Sequence, residues 1–152
     1  MRVFSTLGWL ALSFLGACSN GDPALTVKQF HLREISSEKG QDPFVRGEEQ
    51  RRLFGAVSIA ERKLRLGQYY TIAWRNPQVG TPVRVVFEYR QAATTDKVLT
   101  MESTFGAAAK AGESEFAVIG DDYQANGRVL AWQVTLFRGS EIVAQRRSFM
   151  WR

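Results

Sequence analysis

From Gln68 onward the chain keeps returning to a period of two. In QYYTIAWRN, Tyr70, Ile72 and Trp74 fall on one face, because successive side chains of an extended chain point to opposite sides. In VRVVFEYRQ, Val83, Val85, Phe87 and Tyr89 share one face, with Arg84, Glu88 and Arg90 on the other. Asn76-Pro77 ends the first of these strands. Residues 97–105 (KVLTMESTF) predict a weaker strand, 106–114 (GAAAKAGES) a small-residue loop and 115–120 (EFAVIG) a short strand. Asn126-Gly127 marks a turn. Earlier in the chain, 24–35 (ALTVKQFHLREI) predict a strand with imperfect alternation, and 51–57 (RRLFGAV) another. The polar stretch 36–50, which holds Gly and Pro, predicts a linker. Glu48-Glu49 and Arg51-Arg52 read there as a solvated charged patch. Ser58-Ile59-Ala60-Glu61 fits a capping box. It predicts a short helix over 59–66, closed by Gly67 in the left-handed conformation.

The last two apolar stretches, RVLAWQVTLFR and EIVAQRRSFMWR, flank Gly139-Ser140 and predict a hairpin. A two-residue turn needs the positive φ that Gly supplies. Counting outward pairs Arg138 with Glu141, Leu136 with Val143, Val134 with Gln145, Trp132 with Arg147, Leu130 with Phe149 and Arg128 with Trp151. That face carries Leu130, Trp132, Val134, Leu136, Val143, Phe149 and Trp151, so it is the expected core face, with Arg147 laid over Trp132. The alternative is a bulge at Gly139, which swaps the faces of 141–151. Arg146 would then meet the core side, with Ile142, Ala144 and Met150 buried. Trp132 is core in both registers.

Five to seven strands with turn residues between them, and little helix, predict a two-sheet sandwich. The stretch 51–152 resembles immunoglobulin-like or fibronectin type III-like domains, on Trp74 in an early strand, Tyr123 after FAVIG and Trp132 before the last hairpin. The resemblance implies an all-β fold: an antiparallel two-sheet immunoglobulin-like sandwich with one short helix. It also implies a corner tyrosine, Tyr123, that bonds backbone upstream.

The N-terminus carries a different pattern. Arg2 is followed by an apolar or small run from Val3 to Ala17, and polar residues from Asn20 stop it. A positive start and an apolar run of this length describe an export signal, short of the roughly 20 residues of a spanning helix. Leu15-Gly16-Ala17-Cys18 resembles the bacterial lipobox, as in small bacterial lipoproteins. That resemblance implies cleavage before Cys18 and acylation of its thiol. Two or three acyl chains make a durable anchor, at about 0.8 kcal/mol per buried CH₂. Ser19 resembles the residue that permits transfer to the outer membrane. The expected organisation is a signal peptide over 1–17, a lipidated N-terminus and tether over 18–23, a strand and linker over 24–50, and the sandwich over 51–152. The expected location is the cell envelope, on the periplasmic or surface face. Five tether residues reach about 17 Å, so the domain stays near the bilayer.

Composition narrows the chemistry. The chain has one cysteine, one histidine and a formal charge of +5. An acylated Cys18 leaves no thiol for a disulfide, and a zinc set of His and Cys cannot be assembled. His31 sits between Phe30 and Leu32 with no Gly-x-Ser-x-Gly element, and gives no serine triad. Asp121-Asp122 and Asn126 lack EF-hand spacing and are turn formers. No glycosidase-like carboxylate pair or phosphate-cradling loop is present. The expectation is a non-enzymatic interaction or assembly module with no cofactor and no metal. It would be held at the membrane through its lipid anchor and contact an envelope protein. The alternative is a small-ligand or anionic-glycan module using Tyr69, Arg75 and Arg146 at its surface. Nucleic acid is not an expected partner, since no interleaved basic and aromatic motif calls for it. Clickable palmitate fed to cells is expected to label the wild-type protein and not Cys18→Ser; an unlabelled wild type would sink the lipobox assignment.

Overall fold

The structure is a computed structural model and describes residues 24–34, 42–94 and 96–152. The signal segment, Cys18 and the tether lie outside the described residues. The elements are β1 (Leu25–Leu32), α1 (Pro43–Leu53), α2 (Ile59–Lys63), β2 (Gly67–Arg75), β3 (Val83–Gln91), β4 (Leu99–Phe105), β5 (Ala111–Ile119), α3 (Gly120–Asn126), β6 (Val129–Arg138) and β7 (Glu141–Arg147), with a 3-10 turn at Ala92–Thr94. They form two antiparallel sheets, in the order β1-β2-β5 and β4-β3-β6-β7. The fold is an all-β sandwich.

The strand faces read from the period of two are the core faces. Tyr70, Ile72 and Trp74 of β2 and Val83, Val85, Phe87 and Tyr89 of β3 are all buried. They pack with Phe116 and Val118 of β5 and with Val134 and Leu136 of β6. Trp74 lies across the neighbouring strand at Gly112, its register partner. A Cβ at Gly112 would stand 2.6 Å from the indole, so only glycine leaves room for the ring. β1 pairs with β2 along its whole length, from Leu25↔Trp74 to Leu32↔Gly67. The first strand is therefore part of the sandwich rather than a segment apart from it.

Several expectations are corrected. The described residues hold three short helices, where one was expected. Residues 36–41 of the expected linker lie outside the described residues; α1 takes up the rest of it and the start of the strand expected over 51–57, with Asp42 accepting from Phe44 N at 2.8 Å and Pro43 opening the first turn. The capping box is present: Glu61 N donates to Ser58 Oγ at 3.1 Å and Ser58 N to Glu61 Oε2 at 2.8 Å. That helix ends at Lys63, and Gly67 (φ +143°) opens β2 instead of capping. A Cβ at Gly67 would lie 2.2 Å from Val118 O, which is why the strand can begin so close to β5. Residues 111–114 are strand, paired with β2, rather than loop. Tyr123 sits on α3, and its hydroxyl meets His31 rather than upstream backbone.

The hairpin keeps its turn and loses its expected register. Arg138 faces Glu141, with a 2.7 Å ion pair, and Gly139 has φ +59°. Phe137 then pairs with Ile142 but Leu136 pairs with Ala144, so Val143 is an extra residue. The bulge lies at Val143, not at Gly139. It lets Val143 and Ala144 both pack against the core, and it sets Arg146 opposite Val134 and Arg147 opposite Gln133. Ile142 and Met150 are exposed, as is Phe149 at 88 %. Arg147 does not cover Trp132. The strand stops there because Ser148 N donates to Trp132 O and Trp132 N donates to Ser148 Oγ. Trp132 is partly buried against the core, edge-on to Tyr70 at 6.0 Å. Trp151 lies under the Arg90 guanidinium at 5.0 Å.

The register has a direct test. Leu136→Ala is expected to cost about 2–5 kcal/mol, and Phe149→Ala less than about 0.5 kcal/mol, both read from urea unfolding. A large loss at Phe149 would restore the unbulged pairing.

Candidate functional site

The most connected polar cluster holds α1 to the first sheet. The Arg52 side chain is almost fully buried. Its Nε donates to Glu48 Oε1 at 2.9 Å, its Nη1 donates to Glu115 of β5, and its guanidinium lies 4.1 Å over the Tyr69 ring. Arg51 donates twice to Glu48, at 2.6 and 3.0 Å. Arg65 Nη1 donates to the carbonyls of Arg52 and Phe54, and Tyr69 Oη donates to Arg65 O at 2.7 Å. The Arg51 hydrogen bonds hold the Glu48 carboxyl below its ordinary range, and burial pushes the Tyr69 hydroxyl up. Tyr69 is thus not an exposed aromatic. It is 6 % exposed, and it serves as the platform on which Arg52 stacks. The stretch read as solvated charge is a helix clamp. The signal for it was the i, i+3 and i, i+4 spacing of Glu48 with Arg51 and Arg52.

The clamp turns the apolar residues of the helices outward. Phe44 is 89 % exposed, Phe54 83 %, Val57 85 % and Ile59 75 %, and Leu64 is half-exposed. Between the helices lie two cavities of about 270 and 300 Å³. Leu53 lines both; Ile59 and Leu66 line one and Ala56 the other, with Arg62 common to both rims. α1 and α2 connect the end of β1 to the start of β2. They therefore sit at the opposite end of the sandwich from Ala24, separated from it by β1, about 26 Å of strand.

Arg75 and Arg146 belong to the Ala24 end. Arg75 is exposed at the end of β2 and lines a cavity of about 400 Å³ with Ala24, Asn76, Pro77 and Lys110. Arg146 Nε donates to Leu25 O at 3.3 Å. With Arg147, Trp132 and residues Leu25, Thr26 and Val27 it lines a cleft of about 340 Å³ between β1 and β7. The fold brings Arg75 and Arg146 to the same end but leaves Tyr69 elsewhere.

His31 engages both ring nitrogens in contacts within the fold. Arg33 Nε donates to Nδ1 at 3.3 Å, so the proton resides on Nε2, which donates to Tyr123 Oη at 2.7 Å. Burial, then the charges of Arg33 and Arg128, lower its pKa. Asp122 Oδ1 accepts from Asn126 Nδ2 at 2.7 Å. Among the described residues no group of three or more His, Cys, Asp or Glu side chains could hold a metal ion. None of the described helices is long and apolar enough to cross a membrane. Comparison with protein-family models, curated proteins and solved structures finds no match.

The clamp yields a stability prediction. Its carboxylates are partly solvated, with Glu115 at 41 % and Glu48 at 28 % side-chain exposure, so neither is left as a fully buried charge when Arg52 is removed. Arg52→Ala is then expected to cost about 1–3 kcal/mol. Arg52→Lys should recover only part of this, because an ammonium cannot fork to two carboxylates while lying flat on a ring. Urea unfolding of both variants checks it; a Lys variant as stable as wild type would reduce Arg52 to a simple point charge.

Proposed function

We propose that this chain is a lipid-anchored envelope protein whose sandwich is a non-enzymatic interaction module, with the α1–α2 end as the surface that meets a protein partner. The observation that carries the reading is the exposure of Phe44, Phe54, Val57 and Ile59 across α1, α2 and the residues that join them. Contiguous exposed apolar surface marks interaction sites in folded proteins, and aromatic side chains are the commonest anchors of such contacts. The position of the segment fits the proposed anchor. Five residues, which reach about 17 Å at full extension, would join an acylated Cys18 to the Ala24 end, and the helices stand at the other end, free to meet another envelope component. His31 supports a packing role, since both its nitrogens are engaged inside the fold. Acylation of Cys18, the export signal and placement in the outer membrane are part of the same proposal, and rest on the lipobox-like tetrad.

The test is a photo-crosslinking amino acid placed at Phe54 and, as a control, at Thr104 on the exposed outer edge of β4, in cells making the full-length protein. A discrete protein adduct is expected from position 54 and none from 104. Adducts to lipid alone, or equal adducts at both positions, would overturn the partner assignment.

A further inference from the structure

The end of the sandwich beside Ala24 has a charge pattern that the interaction reading does not use. Two cavities flank the first described residues. One is lined by Ala24, Arg75, Asn76, Pro77 and Lys110, the other by Leu25, Thr26, Val27, Trp132, Arg146 and Arg147. Their described lining holds four cationic side chains and no carboxylate. The carboxylate of the adjacent hairpin, Glu141, is engaged by Arg138 at 2.7 Å. Arg146 is held in place by its bond to Leu25 O, and Arg147 leaves β7 beside it with its side chain exposed. Trp132 lies partly buried in the wall of the cleft, pinned at its backbone by Ser148. The arrangement is an indole with the Arg146 and Arg147 side chains at the β1–β7 cleft, and Lys110 in the cavity on the other side of the chain's entry.

We propose that this end is a docking surface for the phosphates of anionic lipid head groups. The inference rests on the anchor reading, because it is the tether from Cys18 that brings this end to a bilayer. Chain geometry and charge agree on the occupant. The polypeptide enters at Ala24, between the two cavities, so a tether that reaches about 17 Å at full extension would keep this end closest to the membrane. Guanidinium groups recognise phosphate through paired N–H donors, and tryptophan favours the membrane interface. An acyl anchor combined with a basic patch is a two-signal attachment. Docking at this end would orient the sandwich upright and hold the α1–α2 surface away from the bilayer.

The experiment uses the acylated protein carrying Val79→Cys. Val79 is half-exposed in the loop joining β2 to β3, at the same end and outside both cavities. With Cys18 acylated, this thiol is the only one, and one fluorophore attaches per chain. The labelled protein is reconstituted in nanodiscs of neutral phosphatidylcholine, or of phosphatidylcholine with phosphatidylglycerol, each with an energy-transfer acceptor at the head-group level. Each Lys or Arg beside an anionic surface strengthens association about fivefold. Transfer should therefore rise in the anionic discs and fall as salt is added. Arg146→Gln with Arg147→Gln should lower the docking equilibrium by about 25-fold. Equal transfer in the two lipid compositions, or no change in the double variant, would overturn the proposal. Release of the domain by inorganic phosphate, but not by chloride at the same ionic strength, would instead assign the site to free phosphate and overturn the lipid assignment. Two fluorophores per chain would mean that Cys18 is not acylated. The anchor reading then fails, and sedimentation of that protein with vesicles of the two compositions decides the head-group proposal separately.

Discussion

Phe87 joins the two sheets. Fully buried on β3, it stacks on Tyr89 of its own sheet at 5.3 Å and on Phe116 of the other sheet at 5.5 Å, and leans on Tyr70 at 4.6 Å. Each such ring removes roughly 150–250 Å² from water, and an offset or edge pair adds about 0.5–1.5 kcal/mol beyond its area. With one cysteine in the chain, no disulfide can be formed within it. The faces of β2, β3, β5 and β6 must therefore hold together by packing, and the aromatic stack at their centre is what the remaining elements are built around.

With the inner faces occupied by this core, the features free to serve function fall at the ends of the sandwich. The Ala24 end gathers arginine and lysine because β2 ends there at Arg75, β5 begins beside Lys110, and β7 carries Arg146 alongside β1. The other end gathers apolar side chains because α1 is attached by a guanidinium rather than by an apolar stripe. A leucine at position 52 would bury apolar area against Tyr69 but could not bond Glu48 and Glu115. Arg52 does both, by stacking and by forking. Phe44, Phe54, Val57 and Ile59 are then left without a core to face. The proposed orientation, basic end to the bilayer and apolar end to a partner, follows from these two local arrangements.

The strands that were legible in the sequence are those with one wet and one dry face. Val83, Val85, Phe87 and Tyr89 alternate with Arg84, Glu88 and Arg90, and the structure buries the first set. α1 was hidden because it presents no apolar period. Its cues were Asp42-Pro43 at the start and the charge spacing of Glu48, Arg51 and Arg52, all compatible with a loop. Residues 111–114 were hidden because small and charged residues carry no strand pattern of their own; β2 supplies their partners. Of the candidate site residues, Arg75 and Arg146 are exposed, whereas Tyr69 is covered by Arg52, a contact that depends on a helix the sequence pattern does not show.

The amino-acid sequence by itself determined which faces of the strongly alternating strands turn inward, the Ser58–Glu61 cap and the Gly139-Ser140 turn, since each rests on neighbours a few residues apart. Only the tertiary structure decided the register of β7, the burial of Tyr69 and the pairing of Arg52 with Glu115. A bulge at Val143 reverses the side-chain facing of all that follows, and is selected because it seats both Val143 and Ala144 on the core. The Arg52–Glu115 contact joins residues 63 positions apart. It exists because β5 pairs with β2 and α1 folds back over both, and no local spacing encodes that meeting.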